Sequence, residues 1–545
     1  MNLFTVFILS LFLTIALIPV LKAMAFRINL VDVPDQRKVH VMPMPRSGGI
    51  CMALGAIVPV FLWVPMNNLV WAVHIGCALI VVFGVVDDVK NLRYIQKFFV
   101  QGVGACVVIF YGGIRIESLG NLVPAGFELP FIVSVAITLF FIVGVTNAIT
   151  LSDGLDGLAG GISMLSFVTI GFFAYRCEHM TIAIMSIAVV GAILGVLRYN
   201  THPAVVFMGD AGSQMLGFLC VVFTLILTQS NTPYSQITPL FLIGFPILDT
   251  LTVMVERVSK GGSPFKADKN HFHHKLLKLG LYHSESVFVI YLLQALFLCF
   301  AFVLRFYSNW SNLIVFIILA LIIIILFEIA RRTQFKFRNG GGEMLGSKSM
   351  LAAFAGDRLS IRILFACLKW GLAIGFVFQC FIPQDIPPYM SYGAVFFIVL
   401  ILAAKRFNLQ IKKDVMRIAL YCTIPMVLYF STMGASSWMT GRLILANNAV
   451  FLSLILFVIL TLNMTKRQKG FKLNPLDFLV FIVIIIFPNL PDIHLENPLI
   501  KLVIAKILIL FFSYDVLLGE LRKEDTFLDK SLLAAFFVIA VKGFI

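Results

Sequence analysis

The sequence predicts an all-α, polytopic integral membrane protein. Of its 545 residues, 60% are hydrophobic and only 13% are charged. Mean hydropathy is +0.99, and apolar runs long enough to span a bilayer recur along the whole chain. Soluble domains carry about 25% charged residues, and a span needs about 20 apolar ones. The formal net charge of +15 fits basic residues gathered in loops on one side of a membrane and against anionic headgroups. With no basic stripe interleaved with aromatics, nucleic acid is excluded as a partner. The nine cysteines are odd in number, lie in apolar runs and form no CxxC pair. They read as small buried hydrophobes, not as a disulfide framework or thiolate metal site.

Residues 1–21 are apolar, and Lys22 and Arg27 follow them. That order predicts a retained first span with its N-terminus outside, not a removed signal peptide. Further apolar runs fall near 47–65, 69–86, 97–114, 129–148, 157–175, 181–197, 205–228, 237–255, 286–304 and 311–330, giving about eleven spans in all. Alternation places loops 22–46, 87–96, 149–156, 198–212, 256–285 and 331–360 on one side, and these hold most of the Lys and Arg. The positive-inside bias makes that side cytoplasmic. Residues 331–360 form a basic, Gly-rich linker. About seven more apolar runs follow in 361–545, near 361–382, 389–404, 416–435, 443–464, 475–489, 499–518 and 531–545. The expected organisation is a membrane-embedded core over 1–330, the linker, and a C-terminal transmembrane extension.

Five polar clusters lie in or beside the predicted cytoplasmic loops: Asp35–His40, Asp87-Asp88, Asp153–Asp156, Gly209–Ser213 and His271–His274. Charge next to a bilayer is expensive and is usually retained for function. Adjacent carboxylates such as Asp87-Asp88 repel unless a cation lies near. They suit a divalent ion or a general base, with Mg²⁺ favoured by oxygen ligands and phosphates. Alone, the pair reads equally as a helix end facing water. Asn147, Thr150, Asp153 and Asp156 are three apart, which on a helix puts them on one face. Gly209–Ser213 opens a span, where free N–H groups attract phosphate and Asp210 can hold a bridging metal; as a plain alternative, Asp210 is an N-cap. Three His in four residues, His271, His273 and His274, suit an anionic diphosphate better than zinc, because no Cys is near and the surroundings are basic. Lys38, His40, Arg46 and Lys97 are further phosphate-facing candidates.

Taken in order, these clusters resemble the polyprenyl-phosphate N-acetylhexosamine-1-phosphate transferase family. The matching segments are Asp35–Gly49, Asp87–Arg93 with Asn91 and Lys97, the Asn147–Gly161 segment, Gly209–Ser213 and the His271–His274 loop. The resemblance covers roughly residues 1–330 and implies ten or eleven spans, in the plasma membrane of a bacterium, with the site on the cytoplasmic face. It implies transfer of a sugar-1-phosphate from a UDP-sugar to a polyprenyl phosphate, with Mg²⁺ (Mn²⁺ as a substitute), releasing UMP. By resemblance Asp210 is the main metal ligand, with Asp87 and Thr150 beside it. Asp87 and Asp88 are the essential pair, one of them the base toward the lipid phosphate. Lys97, His271, His273 and His274 hold phosphates, and Asn147, Asp153 and Asp156 line the nucleotide-sugar site. Thr150 departs from the Asn often found there and offers only a hydroxyl. The His pattern looks like the branch that uses UDP-N-acetylglucosamine for envelope glycans. The alternative readings are UDP-MurNAc-pentapeptide as donor, or a non-enzymatic transporter or scaffold; charges at span ends and the lack of a repeat argue against a transporter. The resemblance leaves room for a homodimer. It also leaves room for a downstream glycosyltransferase or flippase docking on 361–545, which lie beyond the family core.

Overall fold

The structure is a computed structural model that describes residues 3–32, 43–124, 126–230, 232–263, 270–333, 338–339, 343–344, 358–406, 412–464, 499–520 and 526–543. Lys38, His40 and the expected span at 475–489 lie outside the described residues, as does most of the 331–360 linker.

The chain divides into two compact units, the first running to Leu345 and the second made from later residues. In the first, α1 (Leu3–Arg27), α2 (Gly48–Trp63), α3 (Asn68–Lys90), α4 (Tyr94–Cys106), α5 (Phe131–Leu151), α6 (Leu158–Arg176), α7 (Met180–Asn200) and α8 (Gly209–Gln229) precede a broken pair, α9 (Thr238–Leu242) and α10 (Gly244–Ser259). A short α11 (Phe272–Lys278) is followed by α12 (His283–Leu304) and α13 (Asn309–Arg332). Among the described residues, sheet is limited to two-residue strands: β1 (Val31–Asp32) with β2 (Met44–Pro45), and β3 (Arg338–Asn339) with β4 (Glu343–Met344). Ten of the described helices are long and apolar enough to cross a membrane.

One run differs from the expected single spans. The segment near 237–255 is two helices that meet at Ile243. The span expected near 97–114 is present as Tyr94–Tyr111, α4 continued by a π-helical turn at Val107–Tyr111.

α8 is the axis of the first unit. It is buried from Ala211 to Thr228, whereas α13 is largely exposed and presents Ile314, Leu321 and Ile325 outward. Without water between helices, membrane packing relies on close van der Waals approach and small residues. At Gly84, an added Cβ would collide with the Ala211 backbone. That absence of a side chain lets the end of α3, bearing Asp87 and Asp88, sit directly on the start of α8.

In the second unit, α14 (Arg358–Phe381), α15 (Pro388–Arg406), α16 (Lys412–Met433), α17 (Gly441–Met464), α18 (Leu499–Glu520) and α19 (Thr526–Lys542) pack around Leu372, Phe376, Leu420, Leu428, Leu454 and Phe536.

Candidate functional site

Helix ends build the site. Asp87 and Asp88 close α3, whose last carbonyls are capped through Asn91 in the left-handed conformation (φ 51°), with Asn91 N–H on Asp87 O at 2.7 Å. Leu92 N–H donates to Asp87 Oδ1 (2.8 Å). Both carboxylates are buried. Lys97, one turn into α4, bridges two elements. Its Nζ lies 2.5 Å from Asp87 Oδ2 and 2.8 Å from Asp210 Oδ2. Asp88 is held differently: its Oδ1 accepts from Asp210 N–H (3.0 Å) and its Oδ2 from Ala211 N–H (3.3 Å). Arg46 Nη1 reaches Asp88 Oδ1 at 3.2 Å while Nη2 pairs with Asp32 at 2.5 Å. Burial opposes the Arg46 charge, but Asp32 and Asp88 more than offset it and hold its pKa above the ordinary value.

This arrangement corrects one expectation. Two N–H groups at the start of α8 are not open to a phosphate, because Asp88 fills them. Gly209 makes the contact feasible: it has φ +70°, and a Cβ there would collide with the Asp88 carboxylate. Asp210 is not the N-cap; Met208 holds that position, and Asp210 turns to Lys97.

A second layer lies one turn deeper, at the i+4 positions of Lys97 and Asp210. Gln101 Nε2 donates to Gln214 Oε1 (3.1 Å), and Asn147 Nδ2 donates to Gln101 Oε1 (2.6 Å) and to Val143 O (2.8 Å). Gln101 and Gln214 are buried. These amides satisfy one another where no water is at hand. Sequence reading missed them, although their spacing from Lys97 and Asp210 marks the same helix faces.

Asn147, Thr150, Asp153 and Asp156 do not share a helix face. α5 ends at Leu151, so the two aspartates sit in the turn before α6. Gly154 and Gly157 weaken helix in that turn. Thr150 Oγ1 bonds back to Thr146 O (2.9 Å). Asp153 is exposed. Asp156 Oδ2 accepts from His202 Nδ1 (2.8 Å) and Ala204 N–H (3.2 Å), and its own N–H donates to His283 Nε2 (3.1 Å). Burial works against the Asp156 charge; the His202 bond, His283 and the Ala204 amide outweigh it, so its pKa falls below the usual carboxylate value. His202 and His283 stack at 4.2 Å. With Asp156 they form the described His/Asp group most nearly able to hold a metal. Their rings are only 22° from parallel, so their in-plane lone pairs do not converge on one ion.

The His271–His274 loop is anchored by a residue that the sequence hid, Asp249 of α10. Its buried carboxylate accepts from His271 Nδ1 (3.0 Å) and from Phe272 N–H (2.9 Å). The His273 ring rests on Gly154, where a Cβ would strike it. Burial and then the neighbouring His274 drive the His273 pKa down to about 3. His274 lies beside it, with ring centroids 4.2 Å apart. The histidine loop thus docks on the Asp153–Asp156 turn.

Asp87 and Asp210 suit a divalent cation on the chemistry of their donors. Two hard carboxylate oxygens converge on one positive group, the Lys97 ammonium, which occupies the place that a cation would take. The fold and site define a class: a multi-pass α-helical membrane protein with a carboxylate–lysine–arginine centre at the ends of its spans. The chain belongs to glycosyl transferase family 4, whose model matches residues 70–228. It is 35% identical over 335 residues to the probable undecaprenyl-phosphate N-acetylglucosaminyl 1-phosphate transferase of Bacillus subtilis, covering 61% of this chain and 93% of that one. It is 33% identical to the undecaprenyl-phosphate alpha-N-acetylglucosaminyl 1-phosphate transferase of Escherichia coli K12, covering 58% and 90%. It is 32% identical to the decaprenyl-phosphate N-acetylglucosaminephosphotransferase of Mycobacterium tuberculosis, covering 50% and 74%.

Proposed function

We propose that the protein transfers N-acetylglucosamine-1-phosphate from UDP-N-acetylglucosamine to undecaprenyl phosphate, releasing UMP. The observation that carries this is the Asp87–Lys97–Asp210 bridge, with Arg46 and Asp88 behind it, at the membrane-interface end of the spans. The names of the relatives support the donor and acceptor.

In the reaction an oxygen of the lipid phosphate attacks the sugar-bearing phosphorus of the donor. A new P–O–P bond forms, and the bond to the UMP oxygen breaks. Both substrates are anionic, so the residues must first lower their mutual repulsion. Asp87 and Asp210 would hold a Mg²⁺ ion, which neutralises phosphate charge when bound. Lys97, already paired to both carboxylates, is placed to turn toward phosphate oxygens as the site fills. Asp88 has both oxygens committed to Arg46 and the α8 amides, so its part is to fix α8 against α3. Asp87 can accept a proton from the lipid phosphate only as Lys97 turns away, since its Oδ1 holds Leu92 N–H and its Oδ2 holds Lys97. The Asp153–Asp156 turn and the docked histidine loop form the donor side. The basic loops at this end support a cytoplasmic site in a bacterial plasma membrane. A single in-line displacement uses all these groups without a covalent enzyme intermediate.

The test is UMP release by purified protein with undecaprenyl phosphate, Mg²⁺ and a panel of UDP-sugars, including UDP-MurNAc-pentapeptide, beside D210N. Mg²⁺-dependent UMP from UDP-N-acetylglucosamine, lost in D210N, is the expected result. Release only with another donor would revise the sugar, and no release from folded protein would refute the reading.

A further inference from the structure

The second unit contains a buried charge that the proposed reaction does not use. Lys506 of α18 is 4% exposed, and its Nζ lies over the Phe451 ring at 5.3 Å. Among the described residues no carboxylate pairs with it. A lysine in a membrane bundle ordinarily pairs, or snorkels its ammonium to the interface. Lys542 shows the ordinary solution in the same unit: its Nζ donates to Phe381 O (2.7 Å) and Pro383 O (2.5 Å), completing the exposed carbonyls at the end of α14.

Lys506 has neutral polar company instead. Asn447 lies one turn before Phe451 on the same face of α17. Its Oδ1 accepts from Gln379 Nε2 (2.7 Å), and Gln379 Oε1 accepts from Ser431 Oγ (3.2 Å). Gln379, Ser431 and Asn447 are all buried. Ser431 Oγ also lies 3.2 Å from Leu428 O, and Asn447, whose Oδ1 is taken by Gln379, keeps an NH₂ that can only donate. The adjacent Asn448 Oδ1 and Thr432 Oγ1 are buried without partners as well, so the preference for an anion rests on the Lys506 ammonium. A desolvated ammonium attracts an anion and repels a cation.

The set lies toward one end of the bundle. Gln379 and Ser431 are near the C-termini of α14 and α16, and Asn447 is near the start of α17. Those ends are tied by Gln384 N–H to Gly434 O (2.7 Å) and Ser436 N–H to Ile382 O (2.9 Å). The wall at this level is apolar and faces outward through Leu445 and Leu452, 75% and 67% exposed. A ligand entering there crosses a lipid-like surface.

We propose that Lys506 and Asn447 form a binding site for a phosphate anion carried by a membrane lipid. The buried charge then gains its partner from the ligand, and charge-assisted bonds are the strong ones.

Full-length protein in detergent, titrated with dioleoyl phosphatidic acid and followed by native mass spectrometry, tests this. The wild type should retain the lipid, K506Q and K506M should bind it roughly tenfold or more weakly, and K506R should keep most of the affinity. Competition by inorganic phosphate would assign recognition to the anion alone; its failure to compete would assign a share to the acyl chains. Both results keep the site. Equal retention by wild type and K506M, or equal retention of dioleoyl phosphatidylcholine by the wild type, would overturn it. K506M replaces a buried charge with an apolar chain, so its Tm should be no lower than the parent's. A weakened K506M with an unchanged Tm therefore reports the lost charge, not misfolding.

Discussion

At the scale of single residues, the site is a set of carboxylates distributed over lysine, arginine, histidine and amide partners. Asp87 and Asp210 share Lys97, Asp88 caps α8 and meets Arg46, Asp156 takes His202, and Asp249 takes His271. Identical side chains acquire distinct roles because their partners differ in charge and burial. Asp249 carries the least obvious of these roles. It lies in the apolar α10, and its partner is distant in sequence, so no local pattern marks it. Its carboxylate orients the His271 ring through Nδ1, leaving Nε2 for the site. D249N keeps the shape but loses the charged acceptor. We expect kcat to fall roughly ten- to a hundredfold while the protein stays folded. Steady-state UMP release checks it; an unchanged kcat would make Asp249 a packing residue only.

At the scale of elements, the histidine loop is a small helix held by what it buries. His273 lies against Gly154 with its pKa pushed down to about 3, whereas a free imidazole titrates near 6.5. The undocked loop therefore binds a proton below about pH 6.5 that the docked loop refuses until about pH 3. Docking is unaffected by pH above that window and weakens within it, by up to about 1.4 kcal/mol per pH unit. Hydrogen exchange over 270–280, corrected for intrinsic rates, should quicken between pH 7.5 and pH 5; an unchanged corrected rate would contradict the docked geometry.

The same elements show what the sequence could and could not disclose. Span ends, their basic loops and the clusters at Asp87, Asp153, Asp210 and His271 were legible, because apolar runs and charge are local features. The stripe expected from Asn147 to Asp156 was not real, because helix stops at Leu151 and the last two members occupy a turn. The phosphate seat expected at Gly209–Ser213 was hidden for another reason. Its occupant, Asp88, comes from a different helix. Long-range partners of this kind, with His202, His283 and Asp249 among them, leave no periodic trace.

At the scale of the whole molecule, each unit has its own packed interior, and every residue proposed for transfer belongs to the first. Deletion of 361–545 should leave UMP release largely intact, because every residue proposed for transfer precedes it in the sequence. Assay of the truncated protein, shown to be folded and membrane-inserted, decides it; loss of activity would give the extension a part in the reaction. One further consequence follows from the burial of α8 from Ala211 to Thr228. Opening energies in a protein range from near zero at frayed edges to the full unfolding energy at the centre. Asp210 stands in the first turn of the most enclosed helix, so this carboxylate is tethered to the part that yields last. On slow heating, the pairing of Asp210 with Lys97 should persist until the first unit itself unfolds.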